Sequence, residues 1–268
     1  MEKKYKLGVI GAGFMSTAIV KGVISNKILL PNQIIVSDLF PQALEKISEN
    51  GVAVTAVNAD VVNNSEFVLF AVKPQSLDEV LDSIKNCNCE KFISIMAGVK
   101  KRKIKNVFPN SKIARCMPNT PCAIGSGAVG LDISDFTDIN DSEFVIGLLG
   151  LMAEVVVVDE DKLNAVTGVS GSSPAYFYLF VKGIVDAGVK HGLTEEQARK
   201  LAASTMVGAG KMILNNSEKS LDELITAVCS KGGTTIEAIK VYESENLNLT
   251  TEKAVDACVK RAFELENL

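Results

Sequence analysis

Residues 6–16 read KLGVIGAGFMS, and this stretch decides the fold class of the chain. An apolar run predicts a strand, two glycines predict a tight turn, and an amphipathic helix is predicted over about 15–25. Gly11 permits the turn, and Gly13 lets the backbone approach a pyrophosphate at the N–H donors of the helix start. Ser16 stands where the fingerprint usually has a third glycine or an alanine. The stretch predicts a dinucleotide site.

The residues that follow support an α/β fold. Short β-branched runs alternate with helical stretches, which predicts a parallel sheet covered by helices on both faces. The predicted strands are 6–10, 34–37, 52–55, 67–71, 92–96, 112–116, 128–133 and 155–158. After residue 158 the chain reads as helix. We therefore expect a Rossmann-type dinucleotide-binding domain at residues 1–162, followed by an all-helical dimerisation and substrate-binding domain at residues 163–268.

Composition excludes several classes of function. The chain has 268 residues, 47% of them hydrophobic, and a net charge of −4, as expected for an ordinary globular enzyme or binding protein. The basic run 100–105 is interpreted as a solvated helix face, so no nucleic-acid partner is expected. No apolar run is long enough to span a membrane, and a cytoplasmic location is expected. Six cysteines without zinc spacing are interpreted as reduced thiols, and no metal is expected.

The second strand ends in Ser37 and Asp38, where a dinucleotide's adenosine ribose is usually bound. Asp38 could accept hydrogen bonds from the ribose hydroxyls, which favours NADH because a carboxylate repels a 2′-phosphate. Alternatively, Asp38 caps the helix predicted from Pro41. The choice between NADPH and NADH stays open on this pattern.

Three further strands end in segments suited to the cofactor. Ala71, Val72, Lys73 and Pro74 follow the fourth strand, at the edge where such sheets bind ligands. Lys73 either meets cofactor or substrate charge or is simply solvated. The fifth strand is followed by Ala97. The sixth is followed by Asn119 and Thr120, which stand between two prolines in a loop that is predicted to line the nicotinamide pocket.

Near the C-terminus, a short loop combines glycines and hydroxyls at the mouth of a predicted helix. Free backbone N–H groups and the partial positive charge of a helix start suit a compact carboxylate. The loop residues expected to bind this small anion are Ser230, Gly232, Gly233, Thr234 and Thr235.

The stretch 173–191 is apolar almost all round and has few charges. Such a helix must be buried, and one small helical domain offers it limited cover. We therefore expect burial against a second copy of the chain, in an obligate homodimer.

Taken together, the motifs resemble one family, the pyrroline-5-carboxylate reductases. The matching segments are Gly11-Ala12-Gly13-Phe14-Met15, Ala71-Val72-Lys73-Pro74-Gln75, Met117-Pro118-Asn119-Thr120-Pro121, Gly171-Ser172-Ser173-Pro174-Ala175-Tyr176 and Gly232-Gly233-Thr234-Thr235. They span almost the whole chain and occur in the family's order. Two positions depart from the pattern: Lys231 stands where the family usually has proline, and Ser173 where it often has glycine.

The resemblance implies NAD(P)H-dependent reduction of the cyclic imine 1-pyrroline-5-carboxylate to L-proline, with each active site at a dimer interface. It also implies that dimers can associate further. It assigns cofactor contacts to Ile10, Gly11, Ala12, Gly13, Phe14, Met15, Ser37, Asn58 and the segment 71–74. It assigns the substrate carboxylate and ring nitrogen to residues 232–235, with Thr235 as the predicted catalytic residue.

Two other functions are weighed against this one. β-Hydroxyacid dehydrogenases share the architecture but have a Lys and an Asn on the helix after their interdomain motif, where this chain has Phe177 and Val181. Alcohol oxidation would then lack its general base, whereas reduction of a protonated imine needs none at the reacting carbon. A non-catalytic dinucleotide sensor keeps the fold but has no need of the loop with both threonines.

Overall fold

The chain, in a computed structural model that describes residues 3–266, contains one eight-stranded sheet. Its strands are β1 Tyr5–Ile10, β2 Ile34–Ser37, β3 Ala53–Thr55, β4 Ser65–Phe70, β5 Lys91–Ser94, β6 Lys112–Pro118, β7 Gly127–Asp132 and β8 Ala153–Val157. The helices are α1 Phe14–Ser25, α2 Pro41–Ser48, α3 Asn58–Asn64, α4 Leu77–Ile84, α5 Lys101–Lys105, α6 Ile139–Gly150, α7 Leu163–Val166, α8 Ser173–Lys190, α9 Glu195–Leu214, α10 Leu221–Val228, α11 Thr234–Ser244 and α12 Leu247–Glu266.

The strand order is β3-β2-β1-β4-β5-β6-β7-β8, and β1 to β6 are parallel. This is the doubly wound arrangement in which ligands bind at the carboxyl ends of the strands. β7 runs antiparallel to β6, and β8 runs parallel to β7. The antiparallel step follows from chain length, because the segment 119–126 is shorter than the dozen or so residues that a parallel crossover needs.

Helices cover both faces of the sheet, as predicted. On one face, α1 and α6 pack on alternate strand residues such as Leu7 and Phe67. On the other face, α3, α4 and α5 pack on the residues between them, such as Phe70 and Phe92. Because both faces are covered, the central strands are nearly continuous apolar runs. The predicted α/β Rossmann-type fold is confirmed.

Within the basic run 100–105, Lys101 differs from the prediction of a solvated helix face, whereas Arg102 is exposed. Lys101 is buried, with 7% of its surface exposed, and its Nζ lies 2.6 Å from Asp132 and 3.0 Å from Asp135. Lys105 also pairs with Asp135, at 2.7 Å. Sequence spacing shows the charge of the helix but not the carboxylates of the β7 region, and these carboxylates make burial of Lys101 tolerable.

The described residues up to Ser172, together with those from Cys258 onward, form one compact unit, and Ser173–Ala257 forms a second. This grouping differs from the predicted division after residue 162. The short helix α7 belongs to the first unit because Leu163 and Asn164 are buried and α7 packs on β6 and β7. The contacts do not test which residues serve the cofactor and which serve the substrate and the dimer, so the functional boundary after residue 162 stays a prediction.

The second unit is helical. The capping boxes at Thr194 with Gln197 and at Ser220 with Glu223 begin α9 and α10. Helices α8 and α9 pack together and leave an apolar groove of about 660 Å³. Along residues 3–266, no helix combines the length and the apolar character that a membrane crossing requires.

Candidate active site

The carboxyl ends of four strands lie along one edge of the sheet. The register pairs Ile10 with Ser37 and with Phe70, and Phe70 with Ser94. The residues predicted to bind the cofactor lie at or just after these positions in sequence. The fold therefore brings the segments 10–15, 37–38, 71–74 and 97 to the same edge.

The turn after β1 is locked to the neighbouring strands. The Gly11 N–H donates to the Ser37 carbonyl at 2.8 Å, and the Ala71 N–H donates to the Ile10 carbonyl at 2.9 Å. Gly11 has a φ of +102°, and a Cβ built on it would lie 2.7 Å from the Ala71 carbonyl oxygen. Only glycine fits this position, since any side chain would meet backbone in a strained conformation.

Gly13, unlike Gly11, has an ordinary backbone conformation and open space beside it. Its φ is −76°, and within the described residues nothing lies within 4 Å of the position that a Cβ would take. It is the N-cap of α1, whose first N–H groups have no partner within the helix. An open backbone surface beside unpaired N–H donors fits the pyrophosphate of a dinucleotide.

Ser16 occupies the third position of the fingerprint, and its surroundings accommodate a hydroxyl there. The side chain is buried, and its Oγ donates to the Gly13 carbonyl at 3.1 Å. A small side chain with its hydroxyl satisfied preserves the close packing of α1. Phe14, by contrast, is exposed at the helix start.

The Asp38 carboxylate holds the glycine-rich loop in place. One oxygen accepts from the Ala12 N–H at 2.7 Å, and the other accepts from the Phe40 N–H at 2.9 Å. The N-cap of α2 is Phe40 and has no side-chain cap, so Asp38 forms a turn ahead of the helix instead of capping it directly. The sequence showed the charge of Asp38 but not its bond to Ala12.

Ser37, at the end of β2, and Asn58, at the start of α3, belong to one hydrogen-bonded chain. The Ser37 hydroxyl donates to Asn58 Oδ1 at 2.8 Å, and Asn58 Nδ2 donates to the Ser83 hydroxyl at 3.3 Å. The two bonds orient the Asn58 amide. Sequence reasoning missed Ser83, because nothing in its position in α4 indicates a bond to α3.

The segments after β4 and β5 are accessible at the same edge. Lys73 is exposed and precedes the 3₁₀ turn Pro74–Ser76, and Ala97 is exposed just before Gly98. Val72 lies behind Gly11, since its Cγ1 is 3.1 Å from the Cβ position of that glycine. These positions are compatible with the predicted cofactor contacts, which stay predictions.

Asn119 has a structural task that the sequence did not indicate. Its Oδ1 accepts from the Ala128 N–H at 3.0 Å, and its Nδ2 donates to the Ser170 carbonyl at 3.2 Å. The amide is therefore engaged with protein on both sides, and these two bonds fix its orientation. Thr120, the next residue, is exposed.

The predicted substrate loop lies in the second unit, between α10 and α11. The Gly233 N–H donates to the Ser230 carbonyl at 3.0 Å, which closes a turn, and Gly232 has a φ of +74°. A Cβ on Gly233 would collide with the Ser230 hydroxyl. The positive φ favours glycine at 232, and the close Ser230 side chain leaves little room for a side chain at 233. Helix α11 then begins at Thr234, and Thr234 and Thr235 are both exposed.

The cradle after β1, with its locked turn and open helix start, defines a dinucleotide-dependent oxidoreductase. The sequence matches two protein-family models. Residues 160–265 match the family described as pyrroline-5-carboxylate reductase dimerisation. Residues 6–98 match the family described as NADP oxidoreductase coenzyme F420-dependent.

Known proteins agree with these matches. The chain is 37% identical to the pyrroline-5-carboxylate reductase of Haemophilus influenzae, over 98% of each chain. A solved pyrroline-5-carboxylate reductase from Coxiella burnetii is 34% identical, with a TM-score of 0.90 over 98% of this chain and 99% of that one. The Plasmodium falciparum pyrroline carboxylate reductase, solved with NADP bound, is 25% identical, with a TM-score of 0.84 over 99% and 100%.

The chain therefore belongs to the pyrroline-5-carboxylate reductase family. The resemblance stated from the sequence motifs is confirmed, and so is the NAD(P)H-dependent oxidoreductase class. The roles of individual residues stay predictions.

Adding one methyl group at Gly13 should separate binding from folding. We expect Gly13→Ala to keep the wild-type melting temperature, because the site has room, and to bind NADPH and NADH about tenfold more weakly or worse. Gly11→Ala should lose stability as well as binding. Gly22→Ala, in open space further along α1, is the control. Calorimetric titration and thermal unfolding measure both quantities, and unchanged binding by Gly13→Ala would place the pyrophosphate elsewhere.

Proposed function

We propose that this chain reduces 1-pyrroline-5-carboxylate to L-proline with NAD(P)H, the last step of proline biosynthesis. Family membership supports the reaction, and the loop between α10 and α11 is the observation that favours this substrate. The loop presents a helix start, two hydroxyls and a backbone without side chains, which matches a small anionic ring.

The substrate carboxylate would be held mainly by the start of α11. The Gly233 N–H is already used in its own turn, so the donors left for the carboxylate are the Gly232 N–H and the first N–H groups of the helix, at Thr234 and Thr235. Gly233 contributes by shaping the turn and leaving space. This assignment refines the sequence prediction, in which both glycines bound the carboxylate themselves.

Reduction adds a hydride to the ring carbon of the C=N bond and leaves a proton on the nitrogen. The bound dinucleotide supplies the hydride. The protein's tasks are to orient the ring and to keep the nitrogen protonated, and a hydroxyl that both donates and accepts serves both. We assign this role to Thr235, the second residue of α11. No strong base is required at the reacting carbon.

Removing the Thr235 hydroxyl tests the substrate site directly. We expect Thr235→Val to lower kcat/KM for pyrroline-5-carboxylate about 100-fold, because orientation and proton handling are lost, and to leave dinucleotide affinity unchanged. Thr226→Val is the control, since that hydroxyl only bonds the Asp222 carbonyl within α10. Steady-state assays at 340 nm and dinucleotide titration give both readings. Full activity in Thr235→Val would remove Thr235 from the mechanism.

Asp38 favours NADH over NADPH in this proposal. Its carboxylate is held rigidly by two backbone N–H groups at the end of β2, so it cannot swing away from a 2′-phosphate without releasing the glycine-rich loop. A fixed negative charge at that position disfavours the phosphate and can accept from ribose hydroxyls.

Exchange of Asp38 should therefore change the cofactor ratio. We expect Asp38→Asn, which keeps size and one acceptor, to raise the NADPH to NADH ratio of kcat/KM about tenfold, and Asp38→Ser to raise it further. Glu45→Gln, an exposed carboxylate on α2, is the control for net charge. If the ratio is the same in all variants, Asp38 serves only to hold the loop.

We also propose that the chain acts as a homodimer through the groove between α8 and α9. The matched dimerisation model covers both helices. Large apolar side chains are exposed in the single chain, among them Phe177 at 53% and Leu201 at 60%. An apolar groove of about 660 Å³ flanked by such residues needs a cover of similar character, and a second copy supplies it.

A charge placed in this groove should prevent association. We expect Leu201→Glu to convert the dimer to a monomer, because burying an unpaired carboxylate is costly. Lys200→Glu, at the exposed neighbouring position, is the control with the same new side chain. Light scattering after size exclusion measures the mass and also reports any association of dimers, which stays a prediction. A Leu201→Glu dimer would contradict the proposed interface.

A cytoplasmic location is proposed on chemical grounds. All six cysteines are free in the structure. Burial raises the pKa of the Cys89 and Cys122 thiols, which keeps them protonated and unreactive. Free thiols are characteristic of a reducing compartment.

A further inference from the structure

Glu266 ends α12, and its side chain is buried in the first compact unit, with 3% exposed. Three partners bind its carboxylate, each at 3.0 Å: Lys100 Nζ, Arg115 Nη1 and Asn164 Nδ2. They come from three different segments of the chain. A carboxylate this deeply buried is tolerated only when its partners are in place, so the contact fixes the position of each segment.

Arg115 links this contact to a larger network. Its side chain is 4% exposed, and it also pairs with Glu160 Oε1 at 3.2 Å. The same oxygen accepts from the Lys101 N–H at 2.7 Å. Lys100, the last residue of the loop after β5, and Lys101, the first residue of α5, are thus tied to the same arginine through two carboxylates.

The tied loop is the one that follows β5. Gly98 in this loop has a φ of +71°, and a Cβ on it would lie 3.6 Å from the Glu266 backbone nitrogen and from Leu265 Cβ. The last turn of α12 therefore lies against the loop by packing as well as by charge. Ala97, predicted to contact the dinucleotide, directly precedes Gly98.

A cleft of about 820 Å³ lies at the same place. Its lining includes Pro74, Ala97 and Gly98 from the sheet edge and Leu265 and Glu266 from α12. Pro74 and Ala97 are both predicted cofactor contacts, and they follow different strands, β4 and β5. The end of α12 is therefore part of the wall behind the loops that are expected to bind the dinucleotide.

We infer that Glu266 is a positioning residue for dinucleotide binding, which acts by holding the loop 97–100 in its binding geometry through Lys100 and Gly98. The inference rests on the proposed function, which uses the dinucleotide, and on the sequence prediction that Ala97 contacts it. It gives Glu266, which directly follows the region matched as a dimerisation domain, a task in the cofactor site.

The charge of Glu266 is maintained at neutral pH. Burial alone would raise the pKa of this carboxyl, but hydrogen bonds from Lys100, Asn164 and Arg115 outweigh burial and hold the pKa below its usual range. The ion pair with Lys100 is therefore formed whenever the enzyme is folded near neutral pH.

Neutralising Glu266 tests the inference in the full-length enzyme. We expect Glu266→Gln to raise the Kd and the KM for NADPH and NADH about fivefold, because a displaced loop binds less well, and to leave the KM for pyrroline-5-carboxylate unchanged. Glu264→Gln is the control, since its exposed carboxylate pairs only with Arg261 in the same helix. Calorimetric titration gives the Kd without turnover.

Two further variants keep the test decisive if Glu266→Gln folds poorly. Lys100→Gln removes only the loop's side of the contact and leaves the pair of Arg115 with Glu266 intact, so it should fold and show the same rise in Kd. Glu266→Asp keeps the charge and should restore part of the affinity. A lower melting temperature with wild-type Kd in these variants would show a purely structural contact and overturn the inference.

Ala97→Leu separates this inference from the site assignment beneath it. If Ala97→Leu weakens dinucleotide binding while Lys100→Gln and Glu266→Gln do not, Glu266 has no positioning role and the cofactor site stands. If Ala97→Leu also binds normally, the loop is not part of the cofactor site, and the inference fails with that assignment.

Discussion

The short turn after β1 is the constraint on which the cofactor edge depends. Its backbone is bonded on one side to the end of β2, through Gly11 and Ser37, and on the other to the end of β4, through Ala71 and Ile10. Parallel strands in register bring their carboxyl ends to one line, and these two bonds hold the loops that leave that line. A side chain at Gly11 would meet the Ala71 carbonyl, so the sharpness of the turn and the spacing of the strands require each other.

On the other half of the sheet, buried ion pairs hold the loops and helix ends in place. Lys101 with Asp132, and Arg115 with Glu266, are ion pairs whose members are almost completely excluded from water. Such pairs contribute little net stability relative to apolar packing, but leaving one member unpaired is costly. Their effect is therefore to specify position: they bind the loop after β5 and the end of α12 to the strands. The same loop adjoins predicted cofactor contacts, and the inferred role of Glu266 rests on this proximity.

The helical unit poses a different physical problem. Its α8 and α9 expose large apolar side chains in the single chain, and the groove between them has few polar groups to interact with water. Solvation disfavours such a surface, and covering it with a second copy satisfies both copies at once. The unit also presents the loop before α11, where the positive φ of Gly232 favours glycine and the Gly233 N–H closes the turn. The proposed dimer surface and the predicted substrate loop therefore belong to the same region of the sequence.

The sequence by itself determined the fold class, all eight strands with small shifts at their ends, the capped helices α9 and α10, and the family, because these depend on local periodicity and on short motifs. It also predicted the candidate site residues, from the rule that ligands bind where parallel strands end and from the glycines and hydroxyls ahead of α11. Only the tertiary structure decided the reversal of β7, the burial of Lys101, the bond from Ala12 to Asp38, the engagement of Asn119, and the return of Glu266 to the first unit. These features depend on partners distant in sequence, and a pattern of residue types does not show which charges and amides meet once the chain is folded.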